Sequence, residues 1–391
     1  MSLSLADGVF TVTHRNISRP LSVHLRSRLA VMHPAYFALA MATGIVAITC
    51  HLLGLGDLAI GLSCINLVAY PSLWVLFIAR AVMFRETVIA DWKDHGRAPG
   101  YFTIVAATGV LGTQVMLLHD WAMAAKILWW ACVMLWAVCT YTIFALLTVS
   151  DKKPTLEDGI NGGWLVAVVA TQSVCVLGCA LDGRVLADRE IGLFVLTSFW
   201  LGGGMLYLWI IGLIFYRYMF FRFSPHDLMP PYWINMGAVA ISTLAGALLT
   251  AATESSTLLK PLHSFILGLT LMYWATATWW IPMLLVLGIW RHCIRGVRLA
   301  YDPLYWSLVF PVAMYSACTF RLAEVLNTPF LMWIARIFIV TAVSVWLLTF
   351  LGLARQLLYA ALLWLRQTQV PHLEQPVGQR VVGIAKTGGI I

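Results

Sequence analysis

Ten long apolar runs restrict what this sequence can fold into. Each is close to or longer than the ~20 residues that an α-helix needs to cross a bilayer. Barrel strands would need ~10-residue segments of alternating hydrophobicity, whereas these runs are apolar on every face. The sequence therefore predicts an all-α integral membrane protein with ten transmembrane helices. The runs cover residues 35–55, 58–84, 100–118, 121–149, 162–182, 191–221, 231–252, 262–290, 303–324 and 330–364.

The composition excludes an ordinary soluble domain. Of the 391 residues, 61% are hydrophobic and 11% are charged, whereas soluble domains have about 45–50% apolar and about 25% charged residues. The apolar excess is too large to be buried in a water-soluble core.

The distribution of basic residues among the connections predicts the topology. With the N-terminus in the cytoplasm, 19 of the 25 Lys and Arg residues fall on the cytoplasmic side. The positive-inside rule therefore predicts that both termini are cytoplasmic. We expect a multi-pass protein of the inner (plasma) membrane. Because topology accounts for the net charge of +8, we expect no nucleic-acid partner.

Three regions follow from these patterns. Residues 1–32 form a cytoplasmic N-terminal arm without the short apolar core of a signal peptide. Its segment ISRPLSVHLRSRLAVM is basic enough to lie on the membrane surface as an interfacial helix. Residues 33–366 form the ten-helix domain, and residues 367–391, rich in Gly, Gln and Val, form a flexible cytoplasmic tail.

The odd-numbered runs repeat a common pattern at their first turn. HPAYFALAMATG at residues 33–44 resembles APGYFTIVAATG at 98–109, and related segments begin the other odd runs. A steady period indicates that one supersecondary unit is used repeatedly. The unit here is a helical hairpin, and the chain contains five. Their aromatic anchors, spaced 63 to 73 residues apart, are Tyr36, Tyr101, Trp164, Tyr232 and Tyr305.

The odd and even helices differ in side-chain size. The sixth residue after each anchor is small in four repeats and a proline in the fifth: Ala42, Ala107, Ala170, Ala238 and Pro311. Small residues allow helices to approach closely in lipid, so the odd helices are predicted to form an inner five-helix ring. The even helices, rich in Leu, Phe and Trp, suit an outer ring. The inner ring either encloses a central pore or packs tightly without a lumen, and the composition leaves both interpretations open.

Three segments carry a resemblance to a known family. HPAYFALAMATGIVAI at 33–48, PPYWINMGAVAI at 230–241 and YWSLVFPVAMYSACT at 305–319 resemble the tellurite-resistance/dicarboxylate transporter family, which includes slow anion channels. The resemblance spans nearly all of residues 30–365. It implies five quasi-symmetric hairpins, a central pore through each protomer and a homotrimer.

The resemblance also implies a gate. Family members with an occluded pore close it with a phenylalanine from the ninth helix, and the matching residue is Phe310, next to Pro311. The alternative role for Phe310 is helix packing. The equivalent positions in the other repeats are Met41, Ala106, Val169 and Gly237.

The predicted pore wall is nearly free of ionisable groups. We therefore expect hydrogen-bond donors to stabilise a partly dehydrated anion; their alternative role is bonding across helices or to the i−4 carbonyl. The donor candidates are Thr43, Thr108, Thr171, Ser242, Thr243, Gln114 and Gln172. The predicted pore-lining set is Met41, Ala42, Thr43, Ala107, Thr108, Ala170, Thr171, Gly237, Ala238 and Pro311.

Charge at a pore mouth would concentrate anions. Arg321, at the extracytoplasmic end of the ninth helix, is the candidate for this attraction, although Glu324 is placed to pair with it. Arg295 and Arg298 on the cytoplasmic side are alternatives.

No pattern in the sequence indicates an enzyme. The histidines at span ends lack the i, i+4 spacing of metal ligands, and the short connections contain no catalytic or nucleotide-binding motif. We therefore expect no metal and no cofactor. The predicted function is passive flux of small anions through a gated pore, most favourably C4-dicarboxylates such as malate or oxyanions such as tellurite or sulfite. A proton-coupled dicarboxylate transporter and an intramembrane redox or haem-binding subunit are the alternatives.

Overall fold

The computed structural model describes residues 21–368. Ten helices in this range are long and apolar enough to cross a membrane, and their ends lie within four residues of the predicted runs. We number them α1 (Pro34–Leu52), α2 (Gly56–Met83), α3 (Ala98–His119), α4 (Ala122–Thr148), α5 (Gly162–Ala180), α6 (Arg189–Phe220), α7 (Pro230–Ser255), α8 (Lys260–Ile294), α9 (Pro303–Leu326) and α10 (Pro329–Thr368).

Burial divides the ten helices into two sets. The most apolar stretches of the odd helices are 72–83% buried, whereas those of the even helices are 22–33% buried. This difference confirms the predicted inner and outer helices. The large apolar side chains that the outer helices expose are those expected to face lipid.

The inner helices form a closed ring. Each packs against the next inner helix along the chain, and α9 returns to pack against α1. Each outer helix packs against the inner helix before it, as the hairpin prediction requires, and also contacts the inner helix that follows. All five inner helices begin on the same face, which we call the N-terminal face; the opposite one is the far face.

Each inner helix begins with a 3-10 turn that leads directly into the α-helix. In four of the turns a proline stands at the first or second position, where the missing N–H has no helical partner to lose. In α5 the side chain of Asn161 instead accepts a hydrogen bond from the amide of Gly163. Local sequence therefore starts all five inner helices at similar points.

Three shorter helices lie outside the spans, at Leu21–Ala30, Arg85–Lys93 and Leu156–Gly159. The first falls within the segment predicted as an interfacial helix. Residues 1–20 and 369–391, with most of the predicted tail, lie outside the described residues.

Candidate axial pore

A cavity of about 120 Å³ lies at the N-terminal face on the axis of the inner ring. All five inner helices or the residues just before them contribute to its wall, largely through the positions one before and two after the anchor aromatic. Its polar lining groups include His33, Thr103, Asn161 and Ser307. We call this cavity the vestibule.

A second, smaller cavity lies further along the same helices. Its volume is about 20 Å³, room for about one water molecule. The wall again uses all five inner helices, and most lining residues stand nine or twelve positions after the anchor. We call it the inner cavity, and it is lined by Ile45, Ile48, Gly109, Val110, Thr113, Ser173, Val176, Ile241, Leu244 and Met314.

Helix geometry identifies the side chains that separate the two cavities. On α9, Ser307 lines the vestibule and Met314 lines the inner cavity. Phe310 stands three residues after the first and four before the second, so all three share one helix face. The five residues at this level, each five positions after its anchor, are buried: Met41, Ala106, Val169, Gly237 and Phe310. We call them the axial ring.

The axial ring closes the axis in this structure. Met41, Ala106, Val169 and Phe310 are all 0% exposed. Phe310 has the largest side chain among them, and the facing residues in the ring are mostly small. Removing one phenyl ring would therefore open more space than any other single truncation at this level.

The close approach of α7 and α9 depends on Gly237. A Cβ atom at this position would lie 2.7 Å from Cγ of Pro311, closer than real Cβ contacts. The lack of a side chain lets the proline-bearing turn of α9 fit against α7, beside Phe310. The predicted residues Gly237 and Pro311 are thus brought together.

The predicted alanines are buried between helices. Ala42, Ala107, Ala170 and Ala238 are all 0% exposed. Each stands one residue after the axial-ring residue of its helix. This places it about 100° further around the helix, toward a neighbouring inner helix. Their small size serves the close packing of the ring.

The predicted pore threonines bond to the outer helices. Thr43 accepts a hydrogen bond from Nε1 of Trp346 at 3.0 Å, and Thr171 accepts one from Nε1 of Trp136 at 2.8 Å. The Thr108 hydroxyl lies 2.7 Å from that of Tyr70. Each of these threonines stands two residues after the axial-ring residue of its helix. This is about 200° further around the helix, so the threonines face away from the axis.

We expect Thr43→Val to reduce stability without changing anion flux. The substitution leaves the indole N–H of buried Trp346 without its partner, at a cost of about 1–3 kcal/mol. A lower melting temperature with unchanged flux per folded molecule would support this role. Altered anion selectivity would instead place Thr43 on the route.

The other predicted donors are also occupied within the protein. Ser242 and Thr243 bond to carbonyls four residues earlier. Gln172 donates to the carbonyl oxygen of Trp200 at 3.0 Å. Gln114 bonds Asn66 and Ser63 of α2, and Ser63 bonds His119, forming a polar chain between α2 and α3.

The vestibule lies where five helix N-termini converge. Each N-terminus carries a partial positive charge of about half a unit and free amide groups that favour anions. The Ser307 hydroxyl makes no hydrogen bond within residues 21–368, although the residue is 2% exposed and lines the vestibule. The vestibule thus offers positive potential and a free hydroxyl.

A buried ionic cluster beside the vestibule was not predicted from the sequence. Arg80, at 0% exposed, donates to Asp91 at 2.7 Å, and Arg97 donates to the same carboxylate at 2.6 Å. Arg80 and Arg97 also donate to the carbonyl oxygens of Ala30 and Met32. The cluster holds the segment before α1 against the end of α2, and it carries two positive charges for one negative.

His33 lines the vestibule next to this cluster. Burial and the neighbouring Arg97 guanidinium lower the pKa of His33 to about 4. The neutral ring accepts a hydrogen bond from the amide of Ala35 at 3.1 Å and thereby caps α1. His33 therefore contributes no charge to the vestibule near neutral pH.

We expect His33→Asn to flatten the acid side of the stability profile. As the pH falls from about 6.5 to about 4, the unfolded chain binds a proton at His33 that the folded protein does not, so stability is lost. Asparagine retains a capping oxygen but does not titrate. Melting temperatures of both proteins across this range measure the effect, and parallel profiles would contradict it.

Arg321 lies near the far face, where it is paired. Its Nη1 is 2.8 Å from the Glu324 carboxylate, and its guanidinium lies 5.8 Å from the centre of the Phe320 ring. This is the pair that the i, i+3 spacing predicts, and it reduces the charge that Arg321 presents to an anion.

Two other histidines at span ends have structural partners. His119 lies 2.8 Å from the Ser63 hydroxyl, and His263 lies 2.7 Å from that of Thr253. Within residues 21–368, no three His, Cys, Asp or Glu side chains are gathered as a metal site would require.

Comparison with known proteins gives consistent matches over most of the chain. A sequence profile of the family described as "voltage-dependent anion channel" matches residues 31–354. An uncharacterized transporter of Methanocaldococcus jannaschii is 24% identical over 293 residues, which cover 73% of this chain and 81% of the relative. A sulfite efflux pump of Trichophyton rubrum is 22% identical over 340 residues, covering 81% and 88%. An uncharacterized membrane protein of Mycobacterium tuberculosis is 33% identical over 152 residues, covering 39% and 77%.

Proposed function

The chain belongs to the voltage-dependent anion channel family, and on this premise we propose that small anions cross the membrane along the axis of its inner ring. The route runs from the vestibule through the axial ring to the inner cavity and the far face. The axial ring closes this route, and we assign Phe310 as the gate. The family membership agrees with the resemblance found in the sequence.

One observation carries the proposal: two cavities lined by all five inner helices lie on one axis, separated by the axial ring. Helix packing for stability alone does not require two successive cavities on one axis, each lined by all five inner helices. The positive ends of the five helices and the Ser307 hydroxyl favour an anion in the vestibule.

Passive movement fits the chemistry of the lining. Among the residues that line the two cavities, His33 is the one with an ionisable side chain, and it lies at the mouth. A proton-coupled carrier generally needs a titratable group along its pathway. Flux is therefore driven by the anion gradient and the membrane potential.

For the substrate, we place small oxyanions such as sulfite first. The fungal relatives named as sulfite efflux pumps align over 81% of this chain, which favours an anion of that size and charge. C4-dicarboxylates such as malate, and tellurite, are the next candidates. Arg321 remains the proposed attracting charge at the far mouth, weakened by Glu324.

The membrane, topology and oligomeric state that we propose are based on the distribution of basic residues and on the family. The N-terminal face is cytoplasmic, both termini lie on that side, and the protein sits in the plasma membrane as a homotrimer with one pore in each chain. Residues 1–32 serve as the cytoplasmic arm, residues 33–366 as the channel and residues 367–391 as the tail. We assign no catalytic activity and no cofactor to the chain.

Flux measurements on purified protein in liposomes test this function. We expect sulfite, malate, nitrate or chloride to move when a potassium gradient with valinomycin imposes a potential, and an uncoupler to leave this flux intact at fixed potential. Flux that requires a proton gradient would indicate the coupled carrier. An absorbing cofactor in the purified protein, without flux, would indicate the redox subunit.

A further inference from the structure

An apolar groove lies on the outside of the inner ring, between the ends of α6 and α8 at the N-terminal face. Its volume is about 490 Å³, within the ~300–1,000 Å³ of typical ligand sites. The α8 wall includes Leu287, Trp290 and Ile294, and the α6 side includes Tyr218 and Phe223. A π-helical turn at Trp290–Ile294 ends α8 beside the groove.

The rim of the groove is strongly basic. Residues 214–226 and 283–301 contain five arginines: Arg217, Arg222, Arg291, Arg295 and Arg298. An aspartate follows each stretch, Asp227 and Asp302, and Asp227 lies 3.8 Å from the Arg217 guanidinium. Two of these arginines are already engaged: Arg217 bonds the carbonyl of Glu157, and Arg291 bonds that of Leu228.

The other three arginines are available to a ligand. Arg222, Arg295 and Arg298 are exposed and form no ion pair within residues 21–368. The Arg295 guanidinium lies 5.8 Å from the centre of the Trp290 ring, which belongs to the groove wall. Arg298 follows Val297, whose amide bonds the carbonyl of Arg291 and folds this segment back onto the end of α8.

We propose that this groove binds an anionic phospholipid. An acyl chain would lie along the apolar wall, and the phosphate would be held by Arg295 and Arg298. Basic residues next to an apolar gap between membrane helices match the two-part chemistry of such a lipid. A free phosphate would leave the apolar part of the site unused.

A second copy of the chain paired through this same face is a poorer occupant. Such a two-fold contact would bring a second set of unpaired arginines to the interface, and like charges placed together are unfavourable. A phospholipid of net negative charge neutralises the rim instead. The proposal requires the membrane setting of the protein and does not depend on anion transport.

Native mass spectrometry of the full-length protein tests the site. Delipidated protein in detergent is titrated with phosphatidylglycerol or with phosphatidylcholine of the same acyl chains. We expect tighter retention of phosphatidylglycerol by the unmodified protein. Arg295→Gln combined with Arg298→Gln should reduce that preference at least about fivefold, since two charge-assisted contacts are lost.

Two further variants separate the groove from general surface charge. Leu287→Trp fills the groove and should reduce retention of both lipids. Arg336→Gln is the matched control, because Arg336 is also exposed and lies 5.5 Å from a tryptophan ring, that of Trp333 on α10. It should leave the preference unchanged.

Three outcomes would overturn the proposal. They are an unchanged lipid preference in the double arginine variant, an equal loss in Arg336→Gln, and dissociation of an oligomer by Leu287→Trp with no loss of lipid. The last result would show that another copy of the chain occupies the groove. Comparable melting temperatures of all variants establish that each is folded.

Discussion

Phe310→Ala is expected to raise anion flux through the protein by on the order of tenfold or more, which corresponds to a barrier lowered by about 1.4 kcal/mol or more. Phe310 is fully buried at the level where the two axial cavities are separated. We expect removal of its ring to join the vestibule to the inner cavity. Potential-driven flux into proteoliposomes, per folded protein, measures the change.

A second substitution in the same ring tests the geometry of the gate. Ala106 lies at the axial level of Phe310 on a different inner helix. In the Phe310→Ala background, Ala106→Phe should return flux toward the unmodified level, because a phenyl ring again occupies the axis. An open pore in the double variant, or no increase in folded Phe310→Ala, would count against Phe310 as the gate.

The second large effect concerns stability. Asp91→Asn should destabilise the protein by about 3–5 kcal/mol, the usual cost of removing one partner from a buried ion pair. Asparagine keeps the shape of the side chain, but Arg80 stays fully buried and loses its counter-charge. The melting temperature in detergent and the yield of monodisperse protein are the measurements.

The matched control is Glu324→Gln, which breaks the partly exposed pair with Arg321. An exposed pair contributes about 0–1 kcal/mol, so this variant should melt close to the unmodified protein. Equal effects of the two substitutions would mean that the cluster around Asp91 does not stabilise the N-terminal face as we describe.

The spans and their division into inner and outer helices could be predicted from the sequence. Hydropathy gives the approximate length of each span. The small residues after the anchors, such as Ala42 and Ala107, mark helices that need close neighbours, and the structure buries those helices. Both signals lie within single helices, so they can be recognised without the tertiary contacts.

The direction of individual side chains could not be predicted in the same way. The inner helices are apolar on all faces, so no polar stripe shows which side faces the axis. The hydroxyls of Thr43 and Thr108 favour a pore-lining role, yet each threonine stands two residues after the axial-ring residue of its helix and bonds an outer-helix aromatic side chain. On α9 the axis-facing residues stand three residues before and four residues after Phe310. The same spacing in the other inner helices is the signal that identifies their axis-facing positions.

The ionic cluster was missed for a different reason. Arg80 and Asp91 are eleven residues apart, on different helices separated by a turn. In the sequence, Arg80 and Arg97 count only among the basic residues that set the topology, since a basic residue at the end of a span needs no other explanation. Their burial depends on the tertiary contact between the N-terminal segment and the end of α2, which no local pattern encodes.

We propose that anions pass along the axis enclosed by the inner helices of a single chain. Cysteines at Val169 and Thr171, two residues apart on α5, test this route in the Phe310→Ala background. A small anionic methanethiosulfonate reagent is applied during flux, with the background protein as the baseline for native cysteines. We expect Val169→Cys to be modified and to block flux, and Thr171→Cys to remain unmodified. Block at Thr171→Cys with none at Val169→Cys would contradict it.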